Sequence, residues 1–359
     1  MPGGVLHYQN DFLSDDVNKY LKKFDFRIAT LESAIGDNLS FDQVKMNDRM
    51  NIIFSKDSDV QKLVDLNINI VSLANNHIFD LGIEGFINTV DLLKKYKINY
   101  CGAGLDIHEA SKPAIIKFRG KNIAIFSYCQ HGSKYIGHVP IATETHFGIN
   151  PLNIDKVLDD VKKAKLIYDY VFVMPHWGVE YTYLPTLEMK KIAYEIIKAG
   201  ADGVFGSHPH QIQPMISYLN KPIVFSMGNF LFPDFYMYPP RPIWYPDKNF
   251  DLDSIEDVVG YPFPIKSPMK QIWNLRSRVG MLVEINIEKA LSANYKLTFL
   301  NKNNIITLYN KGVIRKQYRL LIYGLLIKLP FYSMIYYIYN SKFNLFRRTL
   351  NFVRRKLNV

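Results

Sequence analysis

The sequence predicts an α/β fold, and three observations predict it. Short runs rich in Ile, Val, Phe and Tyr alternate with stretches of helical periodicity. Clusters of His, Asn and Glu stand where those apolar runs end. The composition, 48% hydrophobic and 21% charged over 359 residues, is that of a globular chain. It excludes disorder, a collagen repeat and a disulfide scaffold. Two cysteines, Cys101 and Cys129, are too few for a Cys-rich zinc site.

Strands are expected at 27–31, 69–73, 99–101, 123–128, 170–175, 203–206 and 222–226, each apolar and ending near polar or Gly residues. Helices are expected between them at 84–96, 154–164 and 187–199. In the last, Ile192, Ile196 and Ala199 share one face. Residues 119–122, Arg-Gly-Lys-Asn, sit between two apolar runs and predict a hairpin. The rhythm breaks at 235–274, where seven prolines are mixed with aromatic and acidic residues. This reads as a long ordered insertion over one face, either a lid or a plain surface loop. Residues 279–287 and 295–300 then predict a closing antiparallel pair. Residues 1–310 form one domain in this reading and 311–359 a tail.

The net charge of +11 belongs to that tail. Eleven Lys and Arg and no Asp or Glu lie in 311–359, which leaves 33 cations against 33 acids in the body. A neutral body argues against long nucleic acid, whose phosphates need clustered cations. A basic tail suits an anionic surface. The most apolar stretch, 320–339, is interrupted by Lys328 and Pro330. A Lys at mid-bilayer costs about 2.5–3.5 kcal/mol, so this stretch is expected to lie on a membrane or on the body. Phe343, Phe346, Leu350 and Val353 recur at helical spacing opposite Arg347, Arg348, Arg354, Arg355 and Lys356. That pattern is an amphipathic basic helix; two helices packed on the body with a solvated basic face is the equal alternative. Met1-Pro2-Gly3-Gly4 opens without a basic start and apolar core. The expected location is therefore cytoplasmic or peripheral to a membrane.

The polar clusters carry the chemistry. The 27–31 run ends at Glu32, and the 70–74 run at Asn75-Asn76-His77 with Asp80 close behind. The 171–175 run ends at His176-Trp177-Gly178 with Glu180 near, and the 203–206 run at Ser207-His208-Pro209-His210. Ligands of open α/β sheets bind beyond the carboxyl ends of strands. In an extended segment His208 and His210 would face the same way. Imidazole suits Zn, Fe, Ni or Cu, and carboxylate and amide oxygens add ligands for Mn or Mg.

In order, Thr30-Leu31-Glu32, Asn75-Asn76-His77-x-x-Asp80-x-Gly82, His176-Trp177-Gly178-x-Glu180-Tyr181, Gly206-x-His208-Pro209-His210-x-x-Gln213 and Ser226-Met227-Gly228-Asn229-Phe230 resemble the motifs of CapA-type capsule and poly-γ-glutamate synthesis proteins. The resemblance covers roughly residues 1–235. It implies a metallophosphatase-like four-layer sandwich, two facing sheets flanked by helices, and two divalent metal ions whose identity (Mn, Fe, Zn or Mg) it leaves open. Carried over, Glu32 bridges the metals, and Asn76, His176, His208 and His210 are ligands. His77 is a general acid or charge stabiliser oriented by Asp80. Glu180 stands behind His176 or is a surface acid. Trp177 and Tyr181 are packing or pocket wall, while Asn75 and Asn229 contact substrate or bond within the core.

Two departures stand out. Thr30 replaces the usual Asn but keeps the carboxylate two residues later. The family opens with an apolar strand ending in Gly-Asp, and Met1–Leu6 resembles the segment just beyond that Gly-Asp. The first strand and its aspartate ligand are therefore expected to be missing, either because the true start codon lies upstream, the favoured reading, or because this copy has lost the ligand. The implied function is capsule or exopolymer synthesis by a metal-dependent hydrolase. The substrate would be a phosphoester or an anionic polymer. The alternatives are a non-catalytic partner of the polymer or of a membrane synthase, and a nuclease or nucleotide phosphatase. From the second departure, an N-terminally extended chain is expected to hold its second metal more tightly and to melt at a higher temperature. Metal content and thermal midpoints of the two chains test this, and equal values refute it.

Overall fold

A computed structural model describes residues 1–359 apart from 38, 42–50, 133–135, 240–241, 248, 260–265, 289–290, 310–311 and 342–359. The basic run 347–356 and its apolar partners fall outside the described residues.

Strands β1 (Ile28–Thr30), β2 (Ile70–Ser72) and β3 (Asn99–Cys101) pair in parallel in the order β1-β2-β3. A larger sheet is built from β4 (Ala114–Phe118), β5 (Lys121–Cys129), β6 (Tyr170–His176), β7 (Gly203–Phe205), β8 (Met215–Tyr218) and β9 (Lys221–Val224). Its order is β8-β9-β7-β6-β5-β4. The inner strands are parallel, and β4 and β8 run antiparallel at the edges. The expected hairpin at 119–122 is the β4–β5 turn, with Arg119 and Gly120 at positive φ. The insertion is a small sheet of its own: β10 (Phe235–Met237), β11 (Ile243–Trp244), β12 (Glu256–Val259) and β13 (Met269–Ile272), ordered β11-β10-β13-β12. Pro239 and Pro246 lie outside the paired strands, where a missing N–H costs no ladder bond. The closing pair is β14 (Val279–Asn286) and β15 (Ser292–Leu300), joined by β16 (Ile306–Leu308).

Alternation along the central strands decides the layers. Ala124, Phe126, Val171 and Val173 pack on helices α2 (Ile154–Lys165) and α3 (Leu187–Lys198), which come after α1 (Gly82–Lys95) in the chain. Their neighbours Ile123, Ile125, Phe172 and Met174 point the other way, against Ile70 of β2 and Val279, Met281 and Leu297 of β14 and β15. Phe86, Val90 and Leu93 of α1 cover the far side of β2. The result is helix, sheet, sheet, helix: the expected four-layer sandwich. Asn153 and Thr186 cap α2 and α3 by accepting the first free backbone N–H groups.

Ahead of β1 the described residues form a 3-10 turn (Gly4–Tyr8) and a short helix (Asp15–Leu21). β1 and β14 are edge strands, and both line a cleft of ≈ 750 Å3. Its wall is Ile123, Ile125, Phe172 and Met174, and Glu32, His208, His210 and Asn229 also face it.

Arg278 is the buried tie between the insertion and the closing sheet. It pairs with Asp234 at 2.5 and 2.7 Å and donates to the carbonyls of Trp273 and Asn301, each at 3.0 Å. Replacing Arg278 by Met leaves the Asp234 carboxylate buried without its cation. The expected loss is about 3–5 kcal/mol, read from urea unfolding; a loss below about 1 kcal/mol would refute this role.

Candidate metal centre

The register of the two sheets delivers the site. Thr30 pairs with Ser72 and His176 with Cys129, so Glu32, the 75–77 turn and His176 all emerge at strand ends. Ser207 bridges to His176 directly beyond β7. Gly206 turns the chain there, because a Cβ would stand 2.1 Å from the Phe225 carbonyl oxygen. His208 and His210 sit at φ +96° and +49°. The extended His-x-His expected from sequence is therefore corrected: both residues lie in a bend with left-handed backbone, a strain typical of functional sites. Both side chains still turn inward.

Glu32, His176 and His208 are buried and offer ligand atoms within 4.8 Å of one another. Glu32 Oε1 lies 3.5 Å from His176 Nε2 and 3.6 Å from His210 Nε2. Asn76 joins them through its Oδ1, 2.8 Å from His176 Nε2, while its amide nitrogen stands 3.1 Å from His77 Nε2. The five expected ligands thus meet at one place.

Three of the rings are held from behind. His77 Nδ1 meets Asp80 Oδ2 at 2.6 Å, and Asp80 in turn accepts from the backbone N–H of Ile53. His176 Nδ1 meets Ser207 Oγ at 2.9 Å. His210 Nδ1 meets Asn229 Oδ1 at 2.9 Å, and the Asn229 amide donates to the Ser277 carbonyl. Outer partners of this kind fix the tautomer. With its NH2 spent on Ser277, Asn229 presents oxygen to His210, so Nδ1 carries the proton and Nε2 carries a lone pair. That lone pair faces a carboxylate oxygen, and among the described residues nothing donates a hydrogen bond to Glu32 Oε1. Two acceptors face each other in the interior. A cation between them resolves the conflict, and the donor set fits one.

Asn75, also expected at the site, is fully buried; its amide donates to the Leu31 and Leu73 carbonyls and its oxygen accepts from the His77 N–H. It staples the Glu32 strand end to the 75–77 turn. Trp177 is fully buried between sheet and helices and donates to the Phe225 carbonyl. Glu180 acts electrostatically on His210, whereas Ser207 stands at the back of His176. Sequence reading gives Ser207 no role, although it precedes His208 directly; only the fold sets it behind His176. Tyr181, expected as packing or pocket wall, lies at a ring distance of 6.1 Å from His210, and sequence reading misses Ser277 and the other two rings around His210, Phe232 and Trp273, each at 5.3 Å.

Burial dominates the electrostatics. It pushes Glu32 up to about 7, and Asp80 adds to the rise while His77 and the chain amino group oppose it. Burial, then the charges of His208, His210 and His77, holds His176 well below the usual imidazole range. Burial also lowers His210, against Glu180 and Asn229. Neutral imidazoles are what a metal needs.

A bacterial capsule synthesis protein family model, PGA_cap, matches residues 4–234. The capsule biosynthesis protein CapA of Bacillus anthracis is 28% identical over 64% of this chain and 55% of its own length. The PGA biosynthesis protein CapA of Bacillus subtilis is 31% identical over 48% of this chain and 45% of its own. The chain thus spans about half the length of these relatives. Among solved structures, the NAD nucleotidase of Haemophilus influenzae aligns with TM-score 0.40 and 14% identity over 84% of this chain and 47% of its own.

The pKa shifts give a signed prediction. Because the folded pKa of Glu32 exceeds its ordinary 4.5, the folded state holds the proton more tightly. Metal-free stability therefore falls as pH rises from about 4.5 to about 7, by about 3 kcal/mol. The lowered histidines oppose this slope, so the difference between parent and Glu32→Gln isolates it. At about pH 8 the metal-free Glu32→Gln variant is expected to melt above the parent, and added Mn²⁺ is expected to reverse the order. Identical pH profiles in thermal unfolding would refute it.

Proposed function

This chain belongs to the family of bacterial capsule synthesis proteins, and from that premise we propose that it is a metal-dependent hydrolase of capsule or exopolymer synthesis. The observation that carries this reading is the Glu32 carboxylate buried against the lone pair of His210 and the ring of His176. Glu32, Asn76, His176, His208 and His210 are the residues to hold two divalent cations. Bound divalent cations supply an activated water and charge stabilisation at the attacking and leaving oxygens.

The remaining work belongs to the chain's own residues. Asp80 anchors His77 through Nδ1, and Nε2, 3.1 Å from the Asn76 amide nitrogen, is the atom to carry a proton to a leaving group. Asn76 lies between His77 and His176 and sets their spacing. Asn75 keeps that turn against the Glu32 strand end. Tyr181, Phe232 and Trp273 pack around His210 and fix the position of its ring. The substrate of this reading is a phosphoester or the amide bond of an anionic γ-glutamyl polymer; the fold alone does not choose between them.

The test is hydrolysis of a generic phosphodiester, a phosphomonoester and poly-γ-glutamate with added Mn²⁺. Metal-dependent turnover of one of them is expected, with loss of turnover in His208→Ala. His77→Gln is expected to retain metal while kcat falls about 10²–10⁴-fold. Absence of turnover on all three refutes the hydrolase and favours a polymer- or synthase-binding role.

A further inference from the structure

Helix α4 (Val313–Lys328) and the helical segment 332–341 pack on the body by one face each. Leu320 and Ile327 are buried, and Tyr332 is buried with its hydroxyl donating to the Pro185 carbonyl at 2.6 Å. Tyr339 accepts from the Tyr183 N–H at 2.9 Å, and Arg319 lies 4.1 Å over the Tyr183 ring. These contacts fix the helices to the loop that carries Tyr181 beside His210.

The opposite faces are apolar and open. Ile314, Tyr318, Leu321, Ile322 and Leu325 recur at helical spacing along α4. Phe331, Met334, Tyr337 and Ile338 continue the surface beyond Pro330. All nine are at least 47% exposed. Single exposed apolar residues are ordinary, but a contiguous surface of this kind marks an interaction site. Exposed Arg315 and Lys328 accompany it.

We propose that this two-helix face lies in the plane of an anionic lipid bilayer, with its apolar side chains among the acyl chains. Charge decides the occupant. The described stretch 312–341 carries Arg315, Lys316, Arg319 and Lys328 and no acid, so a second copy would bring like charge against like charge. An anionic lipid surface attracts each cation near it. Tyr side chains suit the boundary between headgroup and hydrocarbon. Length decides the orientation: no described helix is long and apolar enough to cross a membrane, so the face lies flat. Because the helices are tied to the 181–185 loop, docking holds the candidate centre at a fixed attitude to the lipid.

Co-sedimentation of the full chain with phosphatidylcholine vesicles, with and without phosphatidylglycerol, tests this at low and high salt. Binding is expected to the anionic vesicles and to weaken with salt. The double variant Leu321→Glu, Leu325→Glu changes two exposed residues, so it should keep the thermal midpoint while losing about tenfold or more in vesicle affinity. The double variant Arg315→Glu, Lys328→Glu should weaken anionic binding without altering the weak binding to neutral vesicles. No binding to anionic vesicles at low salt overturns the proposal. So does undiminished binding by Leu321→Glu, Leu325→Glu, or a parent dimer that this variant dissolves in the absence of lipid.

Discussion

Glu32 leaves water at a cost of several kcal/mol unless a proton or a cation meets it, and the elements around it are arranged to present imidazoles rather than donors. The strand ends of both sheets converge on this one carboxylate. His176 arrives from β6, His208 and His210 from the bend after β7, and Asn76 from the turn after β2. In the metal-free chain burial answers the cost by raising the Glu32 pKa to about 7. The lowered histidines and the raised carboxylate tie the stability of the metal-free chain to protonation at this one place.

Convergence alone would not give usable geometry. Buried polar groups in a low-dielectric interior reward full satisfaction and punish partial satisfaction. Asp80, Ser207 and Asn229 each grip the rear nitrogen of one ring. Asn75 binds two backbone carbonyls and one N–H to lock the turn that carries Asn76 and His77. The left-handed backbone at His208 and His210 stores strain that a free loop would release. It persists because Gly206 lets the chain pass against Phe225 and because Trp273, delivered by the insertion, packs beside His210. The Arg278–Asp234 pair, which accepts from and donates to the same corner, keeps that insertion in register with the closing sheet.

The sequence by itself determined the seven main strands of the body and their helices, because period-2 and period-3.6 patterns are local. It also determined which residues stand at the strand ends, and the ordered motifs named the family. Three matters were decided only by tertiary structure. The insertion 235–274 became a four-stranded sheet whose short strands pair among themselves, β10 with both β11 and β13, an arrangement that its proline-rich connections conceal. His208 and His210 meet Glu32 through a bend rather than an extended segment, since backbone hand at a loop is set by the neighbours it must avoid. Ser207, Ser277 and Trp273 entered the site because hydrogen bonds and ring contacts between residues tens of positions apart leave no periodic trace in a sequence.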